Sequence, residues 1–349
     1  MRDTSSARLR RRTKTLSAWA LACASACAST PSGVGPPAPP ASPRRNPQHE
    51  DLQQEDLQHE DLAPDRLAAA LASWVQAPRT LGDPRRAASI ERMDAALRAA
   101  GAETIEHHRF SGRDPGTDTE YALTNIYAHF RPGAARRFVL ATHFDTRPWA
   151  DEDPDPSAHT RPVPGANDGT SGLVVVLALA PVLAARLDAD VGFSVALFDG
   201  EELGRPDAGG YCAGSRALAQ SLGSAAPDAA GRGFVGAEFG IVLDMVADAD
   251  LRVATEPTSV EAAPDLVRAI WATAEARGQT AFDPAVRAVP IVDDHTFLTE
   301  AGIPSVLVID YEYDAWHTVR DTLARTSGES LAIVADVVLA ALLEESAAR

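Results

Sequence analysis

The chain is 349 residues long, 45% of them apolar, with a formal net charge of −17. That length and apolar fraction suit one large folded domain, and an acidic excess of this size argues against a nucleic-acid partner, whose phosphates it would repel. There are three cysteines, and Cys23 and Cys27 both lie near the amino terminus, so Cys212 has no partner for an intramolecular disulfide in the rest of the chain.

Residues 1–15 are polar and carry Arg2, Arg8, Arg10, Arg11, Arg12 and Lys14, and Leu16 to Ala28 form a short Ala-rich apolar stretch. A charged segment, an apolar run too short to span a bilayer and then small residues predict a signal peptide over 1–28 and export to the periplasm or cell envelope. Ala24-Ser25-Ala26-Cys27 resembles the cleavage box of bacterial lipoproteins, and Ala20-Leu21-Ala22-Cys23 is an alternative of similar quality. Membrane association is therefore expected only through a lipid on Cys27 or Cys23. Residues 29–63 read as a linker, first rich in Pro and Ala, then carrying an acidic motif repeated from Gln48, Gln53 and Gln58. A period of five fits neither a helical face nor a strand, which predicts a solvated spacer.

A folded domain is expected over 64–349. Helical spacing of apolar residues predicts helices over 66–75 and 87–100, the second closed by Gly101. Strands are predicted over 104–110, 121–130 and 137–142, followed by a loop rich in Asp and Pro over 147–164. A strongly apolar helix follows over 171–187, then a buried strand over 191–197. A helix near 215–222, a strand over 239–246 and a helix over 262–277 come next. A short helix at 295–301, a strand over 305–310 and a helix over 330–345 complete the set. Helices alternating with buried strands predict an α/β fold, with helices on both faces of a central mixed, mostly parallel sheet.

Chemistry-capable residues cluster just after the apolar strands, where open α/β sheets bind ligands. They are His143-Phe144-Asp145, Asn167-Asp168-Gly169, Glu201-Glu202, Asp244, Asp293-Asp294-His295 and Trp316-His317-Thr318. Each alone has a structural explanation: Asp168 as a helix cap, Asp244 as a paired buried carboxylate, His317 as a core histidine. Two adjacent glutamates at a strand end are costly unless a positive charge meets them. Together the six sites suit a metal centre with mixed Asp, Glu and His ligands and an unligated Glu as general base. His295 reads as a structural hydrogen-bonding residue, and His107, His108, His129 and His159 as surface or loop residues.

These motifs, with Ala77-Pro78-Arg79 and the turn at Gly82, resemble the zinc exopeptidase superfamily of aminopeptidases and glutaminyl-peptide cyclotransferases over about residues 64–349. The resemblance implies zinc, held by Asp168, Glu202 and His317, with Glu201 as acid/base. Phe198-Asp199-Gly200-Glu201-Glu202, the Asp293-Asp294-His295 run and Trp316 before His317 resemble the cyclase branch in a bacterial form. In that branch Asp293 and Asp244 would be the catalytic aspartates, hydrogen-bonded to each other, and Trp316 would line the substrate pocket. Val292 departs from the polar residue of animal cyclases, and residues 203–211 lack their Trp. One zinc and monomeric action on peptide or protein N-termini are then expected. A two-zinc aminopeptidase is the alternative, with His143 and Asp244 on the second ion and Asp168 bridging. A binding ectodomain that has lost catalysis is a third reading, disfavoured because every ligand and the base are present.

Overall fold

The computed structural model describes residues 62–77, 79–224 and 229–347. The expected signal peptide, both amino-terminal cysteines, the linker through Asp61 and Pro78 lie outside the described residues. The strands of the main sheet are β1 (Thr104–Arg113), β2 (Glu120–Phe130), β3 (Arg136–His143), β4 (Val191–Phe198), β5 (Gly240–Asp244) and, last, β8 (Ser305–Ile309). Between β5 and β8 the chain makes a separate pair, β6 (Val253–Thr255) and β7 (Phe282–Val286). The helices are α1 (Pro64–Val75), α2 (Arg86–Ala99), α3 (Ser171–Arg186), α4 (Ala213–Leu222), α5 (Pro257–Ala262), α6 (Pro264–Ala276), α7 (Asp294–Glu300) and α8 (Gly328–Ala347), with a single further turn at Ala229–Arg232.

The main sheet has the order β1-β2-β4-β3-β5-β8. β4, β3, β5 and β8 run parallel, and β1 and β2 extend the sheet as an antiparallel wing. Alternation along each strand sends side chains to opposite faces. Phe138 and Leu140 of β3, Ile241 and Leu243 of β5, and Val306 and Val308 of β8 pack against α1, α2, α3, α6 and α8. Val139, Ala141, Val242, Leu307 and Ile309 pack on the other face, against α4 and α7. The result is the expected three-layer α/β/α arrangement. Because both faces are covered, β4, β5 and β8 are buried along their whole length, which is why they read as continuous apolar runs.

Helix α3 lies within the first layer and buries Leu173, Val174, Val175, Val176, Leu179 and Leu183. Each such side chain contributes roughly 1.5–3 kcal/mol when removed from water. Its amino terminus follows Asn167-Asp168-Gly169 directly, so the force that docks this helix also fixes Asp168 over the sheet.

Three local expectations are corrected. The helix expected over 262–277 is two helices, because Pro264 lacks an N–H and starts a new one at its first turn. The β6–β7 pair was not anticipated; β7 contains Pro284 and exposes its last four residues, so it carries no burial alternation. His129 is a core residue, not a surface or loop one. It is 2% exposed in β2, its Nδ1 is 2.8 Å from Ser194 Oγ, and its ring lies edge-on to Phe234. His107 and His108 are half-buried in β1, against Asp94 and Tyr127, while His159 is half-buried in the expected loop and contacts the carbonyl of Asp153.

Candidate active site

The parallel strands β3, β4, β5 and β8 end together, and the turns that follow them carry the polar residues singled out above. After β4 the chain reverses through Gly200, whose φ of 77° lies in the left-handed region that suits glycine. Glu201-Glu202-Leu203 form one turn of 3₁₀ helix. The buried Asp145 clamps that turn: its Oδ1 accepts the N–H of Glu201 at 3.2 Å and its Oδ2 the N–H of Glu202 at 3.1 Å. A second buried aspartate does the same for the turn before α3. Asp321 accepts the N–H of Asn167 at 2.8 Å and of Asp168 at 3.1 Å, and Tyr313 donates its hydroxyl to Asp321 at 2.8 Å. Gly169 is required there, since a Cβ would lie 2.2 Å from the carbonyl oxygen of Asp145.

Asp168, Glu202 and His317 meet, with one ligand atom of each within 4.8 Å of the others and all three residues buried. His317 Nε2 is 3.2 Å from Glu202 Oε2 and 3.8 Å from Asp168 Oδ2. His317 sits at φ 54°, a left-handed conformation that a non-glycine residue holds at a cost of about 1–2 kcal/mol. Glu202 Oε1 is buried with no hydrogen-bond partner. Two buried carboxylates and an imidazole converging in this way, one oxygen unsatisfied, fit the donor set and spacing of a zinc ion. A second cluster shares Asp168: His143 Nε2 is 3.3 Å from Asp168 Oδ1 and 3.0 Å from Asp244 Oδ1.

The electrostatics sort these groups. Burial drives the Glu202 carboxyl upward, but His317 and Arg147 outweigh it and hold Glu202 well below the usual carboxylate range. Arg147 Nη1 contacts Glu202 Oε2 at 3.2 Å while the same guanidinium grips Asp151. Glu201, one residue away, is held well above its ordinary value, by burial first and then by Glu202, Asp293 and Asp294, against the opposing pull of His143. Asp168 is likewise pushed up by burial and by Glu202. Asp293 is raised to about 6 by burial and the charge of Asp244. Burial pushes the His143 imidazole down, but Asp244, Asp145 and Asp168 prevail and hold it well above its usual value.

A cavity of about 300 Å³ opens onto this cluster, lined by Asp168, Glu201, Asp244, Asp293, Trp316 and His317, with Tyr211, Val292 and Tyr311 also on its walls. Six of the seven residues expected to form the site thus share one cavity, and the seventh, Glu202, is bonded to His317. Trp316 stacks on His317, with ring centroids 3.7 Å apart. Asp293 caps α7, accepting the N–H of Asp294. The hydrogen bond of Asp244 goes to His143, and its influence on Asp293 is through charge. His295 has a structural place: its Nε2 is 3.2 Å from Glu256 Oε2 and 2.9 Å from Thr258 Oγ1. Among the polar groups that build the site, sequence reasoning placed Asp145 in a strand-end cluster without a function of its own and did not single out Arg147 or Asp321. Their signal was proximity: Asp145 and Arg147 follow His143 by two and four residues, and Asp321 follows His317 by four.

Residues 125–342, well over half of the chain, match peptidase family M28. The chain belongs to that family. No curated protein matches it. Among solved structures, it is similar to the glutaminyl cyclase of Porphyromonas gingivalis, at 30% identity and a TM-score of 0.73 over 81% of this chain and 98% of that one. It is similar to a Zn-dependent exopeptidase from Parabacteroides distasonis, at 27% identity and a TM-score of 0.71 over 80% and 97%. A leucine aminopeptidase precursor from Bacteroides thetaiotaomicron is similar at 28% identity and a TM-score of 0.70 over 79% and 95%. The resemblance to bacterial glutaminyl cyclases and the zinc exopeptidase-like fold expected from the sequence are both borne out. This M28 member is an enzyme, and the fold brings together Asp168, Glu202 and His317, the three ligands expected from the sequence.

Proposed function

We propose that the protein is a zinc-dependent glutaminyl-peptide cyclotransferase, converting N-terminal glutaminyl residues of peptides to pyroglutamate with release of ammonia. The observation that carries this reading is the meeting of Glu201, Asp293 and Trp316 in one small cavity. Its volume, at the lower end for ligand pockets, suits one amino-acid residue better than an extended peptide. The similarity to glutaminyl cyclases supports the same reading.

Cyclisation needs no water: nucleophile and leaving group both belong to the substrate. The α-amino nitrogen bonds to the side-chain amide carbon, and the bond from that carbon to its amide nitrogen breaks. Glu201 takes the proton from the α-amino nitrogen and returns it to the departing nitrogen, which leaves as ammonia. Asp293, beside Glu201 and under the charge of Asp244, carries the hydrogen bonding that keeps the reacting groups aligned. Trp316, backed by His317, packs against the aliphatic part of the glutaminyl side chain. Asp168, Glu202 and His317 would hold zinc, which when bound supplies a Lewis acid for the amide carbonyl.

A second reading, a two-zinc aminopeptidase, is favoured by the second ligand cluster of His143, Asp168 and Asp244. Incubating the zinc-loaded protein with Gln-initiated peptides separates the two. Ammonia and a pyroglutamyl peptide, with one zinc per active chain, are expected. Free amino acid without pyroglutamyl product, from a chain holding two tightly bound zincs, would overturn the cyclase proposal. We extend the proposal to export into the cell envelope, on the strength of the basic and then apolar amino-terminal segment. Recovery of unprocessed protein in the cytosolic fraction would reject that part.

A further inference from the structure

Cys212 is the single cysteine among the described residues and is fully buried. It precedes α4 at φ 59°, a left-handed conformation unusual outside glycine. Its backbone and side chain both reach the same residue. The N–H of Cys212 donates to the carbonyl oxygen of Glu201 at 3.0 Å, and its thiol donates to Glu201 Oε1 at 3.2 Å. The neighbouring N–H of Ala213 donates to the carbonyl of Gly200 at 3.1 Å. On the other side, the carbonyl of Cys212 accepts the N–H of Arg216 at 3.1 Å and the hydroxyl of Ser215 at 3.2 Å, which ties it into the first turn of α4. The thiol is thus held by a helix on one side and holds a carboxylate on the other.

We infer that Cys212 is a positioning residue for Glu201, its thiol fixing one carboxylate oxygen so that the other faces the substrate. The inference rests on the reading of Glu201 as proton carrier, and it holds for cyclisation and hydrolysis alike. A glutamate has enough rotatable bonds to swing out of reach of a reacting nitrogen, and a proton carrier works only within hydrogen-bond distance. Asp145 fixes the backbone of Glu201 but leaves its side chain free, and Cys212 supplies the missing constraint. Burial, and then the charges of Glu201, Asp294 and Asp293, push the thiol well above its ordinary value, so it stays protonated and serves as a donor. A thiol with a raised pKa is also a poor nucleophile, which separates this role from covalent catalysis.

The test compares the zinc-loaded full-length protein with Cys212→Ala, Cys212→Ser and Glu201→Gln/Cys212→Ala on one Gln-initiated peptide. Losing a hydrogen bond to a carboxylate predicts a fall in kcat of about ten-fold for Cys212→Ala, with KM within about two-fold and zinc content unchanged. Cys212→Ser, whose hydroxyl donates to the same oxygen, should return kcat to within about three-fold of wild type. In the Glu201→Gln background, Cys212→Ala should cost nothing further. Wild-type kcat in Cys212→Ala, equal losses in the Ala and Ser variants, or a full additional loss in the double variant would each overturn the assignment. If the Ala variant does not fold, the S–H stretching band of Cys212 decides: a hydrogen-bonded band that moves in Glu201→Gln supports the inference, and a free-thiol band rejects it. Full activity in Glu201→Gln would instead refute the proton-carrier reading itself.

Discussion

His143 and His129 lie on strands of one sheet, are 1% and 2% exposed respectively, and are driven in opposite directions. His143, at the carboxyl end of β3, faces Asp145, Asp168 and Asp244 within 3.6 Å, and their charge overrides burial to favour the imidazolium. His129, in the antiparallel wing, meets a serine hydroxyl and an aromatic edge; burial, helped by Arg137, lowers its pKa to about 4. Burial alone therefore says little about the charge of a histidine. The difference runs through both regions. The wing gives its buried histidine a hydroxyl and an aromatic edge, whereas the end of the parallel strands concentrates carboxylates around His143 and leaves Glu202 Oε1 without a hydrogen-bond partner. Such a concentration of like charge is unfavourable unless a cation meets it, which accords with the zinc site proposed above.

Glu201→Gln is the sharpest break of the catalytic side. It keeps the size of the side chain and removes the carboxyl proposed to carry the proton, so kcat should fall by roughly 10³-fold, within the usual range for general acid–base groups, with zinc content unchanged. Loss of zinc along with activity would make Glu201 a structural member of the metal site instead. Asp145→Ala is expected to have the next largest effect. Without the carboxylate that holds the amides of Glu201 and Glu202, zinc affinity should drop about 10- to 100-fold. Competition with a chelator measures this directly, and unchanged affinity would mean that α4 and Arg147 fix the turn without Asp145.

The same contrast explains how much of the molecule was legible in its sequence. α3 and β4 are long, continuous apolar runs, because β4 is covered on both faces and α3 is buried along most of its first three turns, and the pattern could be read without tertiary information. The residues proposed to hold zinc stood out in the sequence because each stands in the turn that follows a recognisable strand or opens a recognisable helix, and the fold brings them together. Asp145, Arg147 and Asp321 were not given roles because they act on backbone amides and carboxylates of other segments, and nothing local marks an acceptor for a distant N–H. His129 was misread for the opposite reason. The last six residues of β2 are all buried, so the strand shows no polar and apolar alternation that would have placed its histidine in the core. β7, with Pro284 and four exposed residues, has no strand signature at all.

The smallest effect tests the comparison itself, through the pH dependence of stability. In the folded chain His129 titrates near 4, whereas an unfolded histidine titrates near 6.5. Between those values the unfolded state binds a proton that the folded state refuses, so the contribution of His129 to stability falls as pH drops through 6.5 and levels off below 4. At pH 5 the loss should be about 2 kcal/mol relative to neutral pH. Asp199, Asp310 and Asp321, each raised to about 6 chiefly by burial, act in the opposite sense, because their folded forms take up protons first. The wild-type profile alone therefore mixes the two effects. The difference between wild type and His129→Gln removes the shared carboxylate contribution, since both proteins keep those aspartates. Urea titrations at pH 7.5 and pH 5 should show wild type losing about 2 kcal/mol relative to the variant on acidification. If the two proteins lose stability in parallel, His129 is charged in the folded state, and the contrast with His143 lies in their neighbours' geometry and not in their protonation.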